Sequence, residues 1–137
     1  MILNVGCGGK SHHKACYYGD VRIDIKKFPS VTMLMDAHSL GFKDSVFDRI
    51  VCFEVLEHLQ SPFQAMKEFR RVLKNNGEII VSIPNVWYWR RFFRTILKRY
   101  KKVPTIDHKQ AWDIQELRNL AYQVGLQITD FKWLDWY

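Results

Sequence analysis

The chain has 137 residues, of which 47% are hydrophobic, 15% aromatic and 26% charged. This composition predicts one folded domain over residues 1–137 and excludes a disordered tail or a collagen-like repeat. Lys and Arg number 21 against 14 Asp and Glu, and the resulting net charge of +7 favours an anionic partner. Three cysteines without framework spacing, no apolar run of about 20 residues and no charged leader predict a cytoplasmic protein.

Short apolar runs alternate with helical patterns along the chain. Strands are predicted at residues 2–5, 21–25, 31–35, 47–53 and 78–83, with a last strand at about 126–133. One helix is predicted to start at Ser61 and Pro62, and a second covers residues 113–124. In the second, Asp113 and Glu116 form a capping box and Gly125 ends the helix. The alternation predicts an open, mostly parallel α/β sheet of about six strands, with a ligand at their carboxyl ends.

A glycine-rich loop, Asn-Val-Gly-Cys-Gly-Gly-Lys over residues 4–10, follows the first predicted strand. Glycines there let the backbone turn tightly and approach a ligand. Asp24 ends the second strand, 18 residues after Gly6, where a carboxylate accepts hydrogen bonds from ribose hydroxyls. Asp36 follows the third strand, where it can accept from an adenine amino group. A nicotinamide-binding domain would share the glycines and Asp24, so these residues alone leave the cofactor open.

Further motifs follow in order: Asp36-Ala37, Phe47-Asp48, Val55-Leu56-Glu57-His58-Leu59, and the run RVLKNNGE over residues 71–78. Together they resemble the class I S-adenosylmethionine-dependent methyltransferases, most closely their small "type 11" branch. The resemblance covers residues 2 to about 131. It implies a three-layer Rossmann-like sheet without the usual N-terminal helix and final antiparallel strand, S-adenosylmethionine as the cofactor, and methyl transfer as the activity.

The resemblance also implies which residues bind the cofactor. They are Gly6, Cys7, Gly8 and Gly9 along the methionine part, Asp24 at the ribose, Ile25 against the adenine, Asp36 and Ala37 at the adenine edge, and Phe53 and Glu54 beside the sulfonium and the methyl group. Two positions depart from the family pattern: Asn4 stands where an acid is usual, and Lys10 where many members have glycine.

A catalytic base is optional, because in-line methyl transfer gains most of its rate from alignment. For a hydroxyl or amine acceptor the candidates are His58 and His108, although either could be purely structural. Cys7, His12, His13 and Cys16 have the chemistry of zinc ligands. Their spacing matches no standard zinc site, so no metal is predicted.

Residues 89–102 predict a basic amphipathic helix. Its polar side carries six of the basic residues: Arg90, Arg91, Arg94, Lys98, Lys101 and Lys102. The run from Arg90 to Lys102 contains seven Lys and Arg and no acid, which equals the net charge of the whole chain. This helix lies within residues 84–112, which the resemblance assigns to a lid over the acceptor, with Trp87, Tyr88 and His108 on the substrate side.

Four interpretations of this helix stay open: packing on the domain, an anionic membrane surface or lipid-linked acceptor, nucleic acid, and a partner protein. The methyl acceptor is unidentified, and a small molecule, a lipid-linked or a glycan-related acceptor is favoured over nucleic acid. Two alternatives are a non-catalytic S-adenosylmethionine-binding subunit and an RNA methyltransferase. Apolar surface near Trp133, Trp136 and Tyr137 suggests a possible homodimer.

Overall fold

Five parallel strands form one open sheet in the computed structural model, which describes residues 1–8, 15–84, 110 and 112–132. The strands are β1 (Ile2–Val5), β2 (Val21–Asp24), β3 (Met33–Leu34), β4 (Phe47–Phe53) and β5 (Leu73–Ser82), in the order β3-β2-β1-β4-β5. Two α helices accompany them, α1 (Pro62–Val72) and α2 (Ile114–Gln123). The predicted mostly parallel α/β fold is confirmed. Strand order reverses between β1 and β4, which places the expected ligand crevice at their carboxyl ends.

The core lies on one face of the sheet. Leu3 of β1 pairs with Ile50 of β4, and Val5 pairs with Cys52, so these four side chains point to the same face. All four are buried, and the apolar stripe of α1 covers them, with Phe69 fully excluded from solvent. Leu120 of α2 joins the same cluster. On the other face, the 3₁₀ turn Ala15–Tyr17 lies close to β1.

Both helices begin as their sequences predict. The hydroxyl of Ser61 accepts a hydrogen bond from the Gln64 N–H at 3.3 Å, and Pro62 occupies the first turn of α1. Asp113 and Glu116 form the predicted capping box of α2. Gly125 ends that helix with a φ of +74°. None of the helices in the described ranges is long and apolar enough to cross a membrane.

The junction of α1 with β5 differs from the prediction of a strand beginning at residue 78. Phe47 pairs with Leu73 and Arg49 pairs with Glu78, so the chain between Leu73 and Glu78 bulges out of register. Gly77 lies inside the bulge, where a Cβ would stand 2.8 Å from the Asp48 carbonyl oxygen. β5 therefore begins directly at the end of α1 with the Leu73 pair, and regular pairing with β4 resumes at Glu78 after the bulge.

The predicted sixth strand is wrong over the part of it that the structure describes. Residues 126–132 carry no strand, and the sheet of the described residues has five. The N–H of Leu126 donates back to the Ala121 carbonyl, and residues 127–132 pair with none of the five strands. Strand propensity is only realised where a partner edge accepts the backbone hydrogen bonds, and the sequence does not reveal whether one does.

The loop before β4 is tied to α1 by Arg71. Its guanidinium donates to the carbonyls of Leu40 and Phe42, each at 2.8 Å, and to the carboxylates of Glu68 and Asp44. The Glu68 carboxylate also accepts the Leu40 N–H at 2.8 Å. This network sets the path of the chain from the end of β3 to the start of β4.

Candidate functional site

Polar groups collect at the carboxyl edge of the sheet, beside the reversal of strand order. The glycine loop follows β1, Asp24 ends β2, Asp36 lies two residues after β3, and Glu54 follows β4. Because the strands are parallel, their carboxyl ends meet at this one edge. The fold therefore brings together the residues that the sequence selected at separate strand ends.

The glycine loop passes so close to its neighbours that side chains do not fit. Gly6 has a φ of +71°, and a Cβ there would stand 2.2 Å from the Val55 Cγ2 atom. A Cβ on Gly8 would stand 1.9 Å from the Phe28 ring. Both positions thus require glycine, because a Cβ would collide with side chains packed against the loop. Gly9 and Lys10 lie outside the described residues.

Asp24 fastens the glycine loop to β2. One carboxylate oxygen accepts the Gly8 N–H at 2.9 Å, and the other accepts the Lys26 N–H at 2.8 Å. Each carboxylate oxygen has two lone pairs, so both retain capacity for a ribose hydroxyl. The side chain of Ile25, 69% exposed, stands next to this carboxylate in sequence and presents open apolar surface.

Cys7 turns its side chain into the protein. Its thiol is buried, and burial first and the charge of Asp24 second raise the pKa of Cys7 to about 11. The Cys7 carbonyl accepts the buried hydroxyl of Ser30 at 3.0 Å. Cys7 therefore offers backbone, and no thiolate, to a ligand at this loop.

Asn4, which departs from the family pattern, has a structural role. It is 3% exposed, and its amide donates to the carbonyls of Ala15 and Tyr18 at 2.8 and 2.9 Å. An ionised acid could not donate either hydrogen bond. The amide holds the segment that leads back from the glycine loop to β2, so the departure has a physical reason.

Asp36 is oriented by the residues that follow it. Its Oδ1 atom accepts the His38 N–H at 2.9 Å and lies 2.6 Å from the His38 Nδ1. These contacts, the backbone N–H first, hold the pKa of Asp36 below its usual range, so the carboxylate stays ionised. Ala37 is buried with its methyl group in the core, and only its backbone can meet a ligand.

Glu54 occupies an uncommon backbone conformation at the tip of β4. Its φ is +54°, a left-handed conformation that non-glycine residues adopt at sites where the surroundings hold them. Its N–H donates to the Ser82 carbonyl at 3.1 Å, and its carboxylate accepts the Ser82 hydroxyl at 2.8 Å. Ser82, the last residue of β5, thus fixes Glu54 beside the half-buried Phe53. A serine at a strand end carries no distinctive sequence signal, and sequence reasoning missed it.

Glu57 is the least expected residue of the site. It is 1% exposed, and neither carboxylate oxygen has a hydrogen-bond partner among the described residues. Burial first, and the charge of Glu54 as well, raise the pKa of Glu57 to about 7. Its one sequence signal was a charged residue inside the apolar run VLEHL, next to Leu56.

His58 lies beside Glu57 in the 3₁₀ turn Leu56–His58. Its Nε2 atom stands 3.9 Å from the Glu57 carboxylate, and its side chain is 41% exposed. The structure thus leaves His58 accessible near the carboxyl edge.

The other candidates on the acceptor side lie outside the described residues: Trp87, Tyr88, His108 and the basic residues of 90–102. His12 and His13 also lie outside them. Within the ranges that the structure describes, no three His, Cys, Asp or Glu side chains are grouped to hold a metal.

Comparison with known proteins identifies the fold's family. A family model described as a methyltransferase domain matches residues 3–81, more than half of the chain. The chain belongs to this methyltransferase family. The family is one of the class I S-adenosylmethionine-dependent methyltransferases, and S-adenosylmethionine is the cofactor of the domain.

Several individual proteins are similar to this chain in sequence or in fold. An uncharacterized protein of Methanocaldococcus jannaschii is 34% identical over 93 residues, covering 62% of this chain and 41% of the relative. The tRNA U34 carboxymethyltransferase of Campylobacter curvus is 29% identical over 85 residues, covering 58% of this chain and 28% of the relative. A crystal structure of a SAM-dependent methyltransferase from Archaeoglobus fulgidus superposes with a TM-score of 0.69 at 18% identity, covering 90% of this chain and 59% of the other, and shows the shared fold. The methyltransferase chain thus spans less than two thirds of each of these proteins.

Proposed function

We propose that this chain binds S-adenosylmethionine at the carboxyl edge of its sheet and transfers the methyl group to an acceptor that is a small molecule, a lipid-linked or a glycan-related compound. The observation that carries the proposal is the tight glycine turn at Gly6 and Gly8, next to carboxylates at the ends of two neighbouring strands. The cofactor supplies an electrophilic methyl group on a sulfonium. The site must bind and orient the two reactants and, for a hydroxyl or amine acceptor, accept a proton.

The residues present fit the adenosyl part of this cofactor. Asp24 keeps lone pairs for the ribose hydroxyls while it holds the Gly8 N–H. Ile25 offers exposed apolar surface for the adenine ring, and Asp36 presents an ionised acceptor to its amino group. The glycine turn suits the methionine part, because glycines let the backbone turn tightly beside the ligand.

Phe53 and Glu54 are proposed to flank the reacting end. Ser82 holds the Glu54 carboxylate in one orientation, so its charge is positioned before the cofactor arrives. Alignment of acceptor and methyl group is worth up to about 7 to 11 kcal/mol in reactions of this kind. A hydroxyl or amine acceptor must also lose a proton, and the accessible His58 ring is the base proposed within the described residues.

Calorimetry with S-adenosylmethionine tests the proposal directly. We expect wild-type binding and a loss of about tenfold or more in Asp24→Ala, because charged-group hydrogen bonds to the ribose are worth about 1.5 to 3 kcal/mol. Asp130→Ala is the matched control, since Asp130 is an exposed acid outside the site. Thermal unfolding of both variants separates loss of binding from loss of fold.

Three outcomes are distinguishable. No binding by the wild type contradicts the proposed function. Binding with turnover on a panel of acceptors supports it, and binding without turnover on any acceptor favours the non-catalytic subunit instead. We propose a location in a reducing compartment such as the cytoplasm, because the three cysteines lack the spacing of a disulfide framework.

An RNA acceptor is the second candidate. It is favoured by the relative named as a tRNA carboxymethyltransferase, together with the uninterrupted positive charge of residues 90–102. The test compares RNA and anionic vesicles as ligands of the wild type and of a triple alanine variant at Arg90, Arg91 and Arg94. The control variant replaces the same number of basic residues outside this segment: Lys43, Lys67 and Arg70. RNA binding lost only in the first variant supports this candidate, whereas vesicle binding lost in the same way supports a lipid-linked acceptor.

A further inference from the structure

We propose that His38 is a positioning residue for the cofactor site: its ring braces the Asp36 carboxylate against the start of α1 and so holds one carboxylate oxygen toward the adenine amino group. The inference deepens the proposed function and rests on it. His38 belongs to none of the motifs that identified the site, and its side chain contacts no strand end directly.

Two hydrogen bonds define the state of the His38 ring. Its Nδ1 atom lies 2.6 Å from the Asp36 Oδ1, while its Nε2 atom accepts the Ser61 N–H at 3.2 Å. An imidazole nitrogen that accepts a hydrogen bond carries no proton, so the proton that the ring donates is on Nδ1. The ring therefore donates to Asp36 and accepts from Ser61, and it cannot exchange these roles without breaking one bond.

The consequence for Asp36 is a fixed orientation. Both bonds from His38, from its ring and from its backbone N–H, end on the Oδ1 atom. The Oδ2 atom is left for a ligand, on a side chain that is 60% exposed. A carboxylate rotates broadly about its terminal bond, and an exposed one held by the backbone alone would sample many orientations. The His38 ring removes that freedom.

The Nε2 side of the His38 ring is held by the first turn of α1. Ser61 is the N-cap residue of α1, and its own hydroxyl accepts the Gln64 N–H. The Gln64 side chain also reaches the His38 carbonyl, at 3.5 Å. The first turn of α1, packed on the sheet through its apolar stripe, thereby serves as a rigid support for the loop that carries Asp36.

A purely structural role for His38 would tie the loop to α1 without affecting recognition of adenine. Two substitutions separate these roles by length. In His38→Asn the amide nitrogen stands near the position of Nδ1, so it can donate to Asp36 but does not reach Ser61. In His38→Gln the longer amide reaches Ser61, while the donor to Asp36 is lost.

The experiment measures the dissociation constants of S-adenosylhomocysteine and of its inosine analogue, in which an oxygen replaces the adenine amino group. We expect the wild type to prefer the adenine compound and His38→Asn to retain the preference. We expect His38→Gln to reduce this preference by about tenfold, which is what one oriented hydrogen bond to a charged group is worth at the low end. Thermal unfolding should show the opposite ranking, with His38→Asn the less stable because it leaves the Ser61 N–H without its partner.

Each alternative result is informative. If the wild type binds the adenine compound without preferring it, or if both variants keep the full preference, the positioning role of His38 is overturned while the proposed function stands. If both variants lose the preference in proportion to their loss of stability, His38 is only structural. If the wild type binds neither compound, the proposed function falls as well.

Discussion

The buried carboxyl of Glu57 is predicted to cost this protein stability as the pH rises from about 4.5 to about 7. Glu57 is 1% exposed, and its oxygens lack hydrogen-bond partners among the residues that the structure describes. The pKa of Glu57 is about 7 in the folded protein against 4.5 for the free group. The folded state therefore binds this proton more tightly than the unfolded state does, and folding favours the protonated form.

The magnitude follows from that difference. Below pH 4.5 Glu57 is protonated in both states and carries no penalty. Between pH 4.5 and about 7 the unfolded state has released this proton while the folded state keeps it, so stability falls over that range. Above about pH 7 both states are ionised, and the loss is complete. A difference of about 2.5 pKa units corresponds to about 3 kcal/mol, reached above pH 8. The neutral Glu57→Gln side chain has nearly the same shape and does not ionise.

We expect Glu57→Gln to gain about 3 kcal/mol over the wild type between pH 4.5 and pH 8.5. Urea unfolding of both proteins across this range measures the difference, which cancels the titration of every other group. Asp130→Asn, at an exposed acid, is the control and should show no comparable trend. A free-energy difference between Glu57→Gln and wild type that stays constant with pH would refute the reasoning.

Two further predictions concern the support of the site. Arg71→Ala should lower the free energy of unfolding by about 2 to 3 kcal/mol, because it leaves the mostly buried Glu68 carboxylate and two loop carbonyls without their donor. Urea unfolding measures this, and a loss no larger than that of Lys67→Ala would contradict it. Gly8→Ala should weaken binding of S-adenosylmethionine, since a Cβ would stand 1.9 Å from the Phe28 ring and such overpacking costs about 1 to 3 kcal/mol. Calorimetry should show partial recovery in Gly8→Ala combined with Phe28→Ala, and no recovery would mean that Phe28 is not the obstacle.

Local signals predicted much of the fold. β4 runs over Phe47–Phe53 as expected, and β1 over Ile2–Val5, because runs of buried apolar residues between turn signals leave few alternatives. The caps at Ser61 and Asp113 were readable because capping is a contact between residues three apart in sequence. The sixth strand failed for the opposite reason, since a strand exists only with a partner edge that is distant in sequence.

For the candidate site, the sequence identified positions but not their surroundings. Gly6, Asp24 and Asp36 follow strands, so their shared location was predictable once the strands were taken as parallel. The links that orient them were not predictable. The contact of Ser82 with Glu54 joins residues 28 positions apart, and that of Ser61 with His38 joins residues 23 apart.

The sequence by itself determined the strand and helix pattern, the glycine loop, the acids at the strand ends and the family, because each is set by neighbours along the chain. Only the tertiary structure decided that Glu57 is buried with no hydrogen-bond partner among the described residues, that Asn4 donates to two carbonyls, and that His38 joins Asp36 to α1. Burial and hydrogen-bond pairing depend on which distant segments pack together, and the pKa of Glu57 changes only when that packing removes water from its carboxylate.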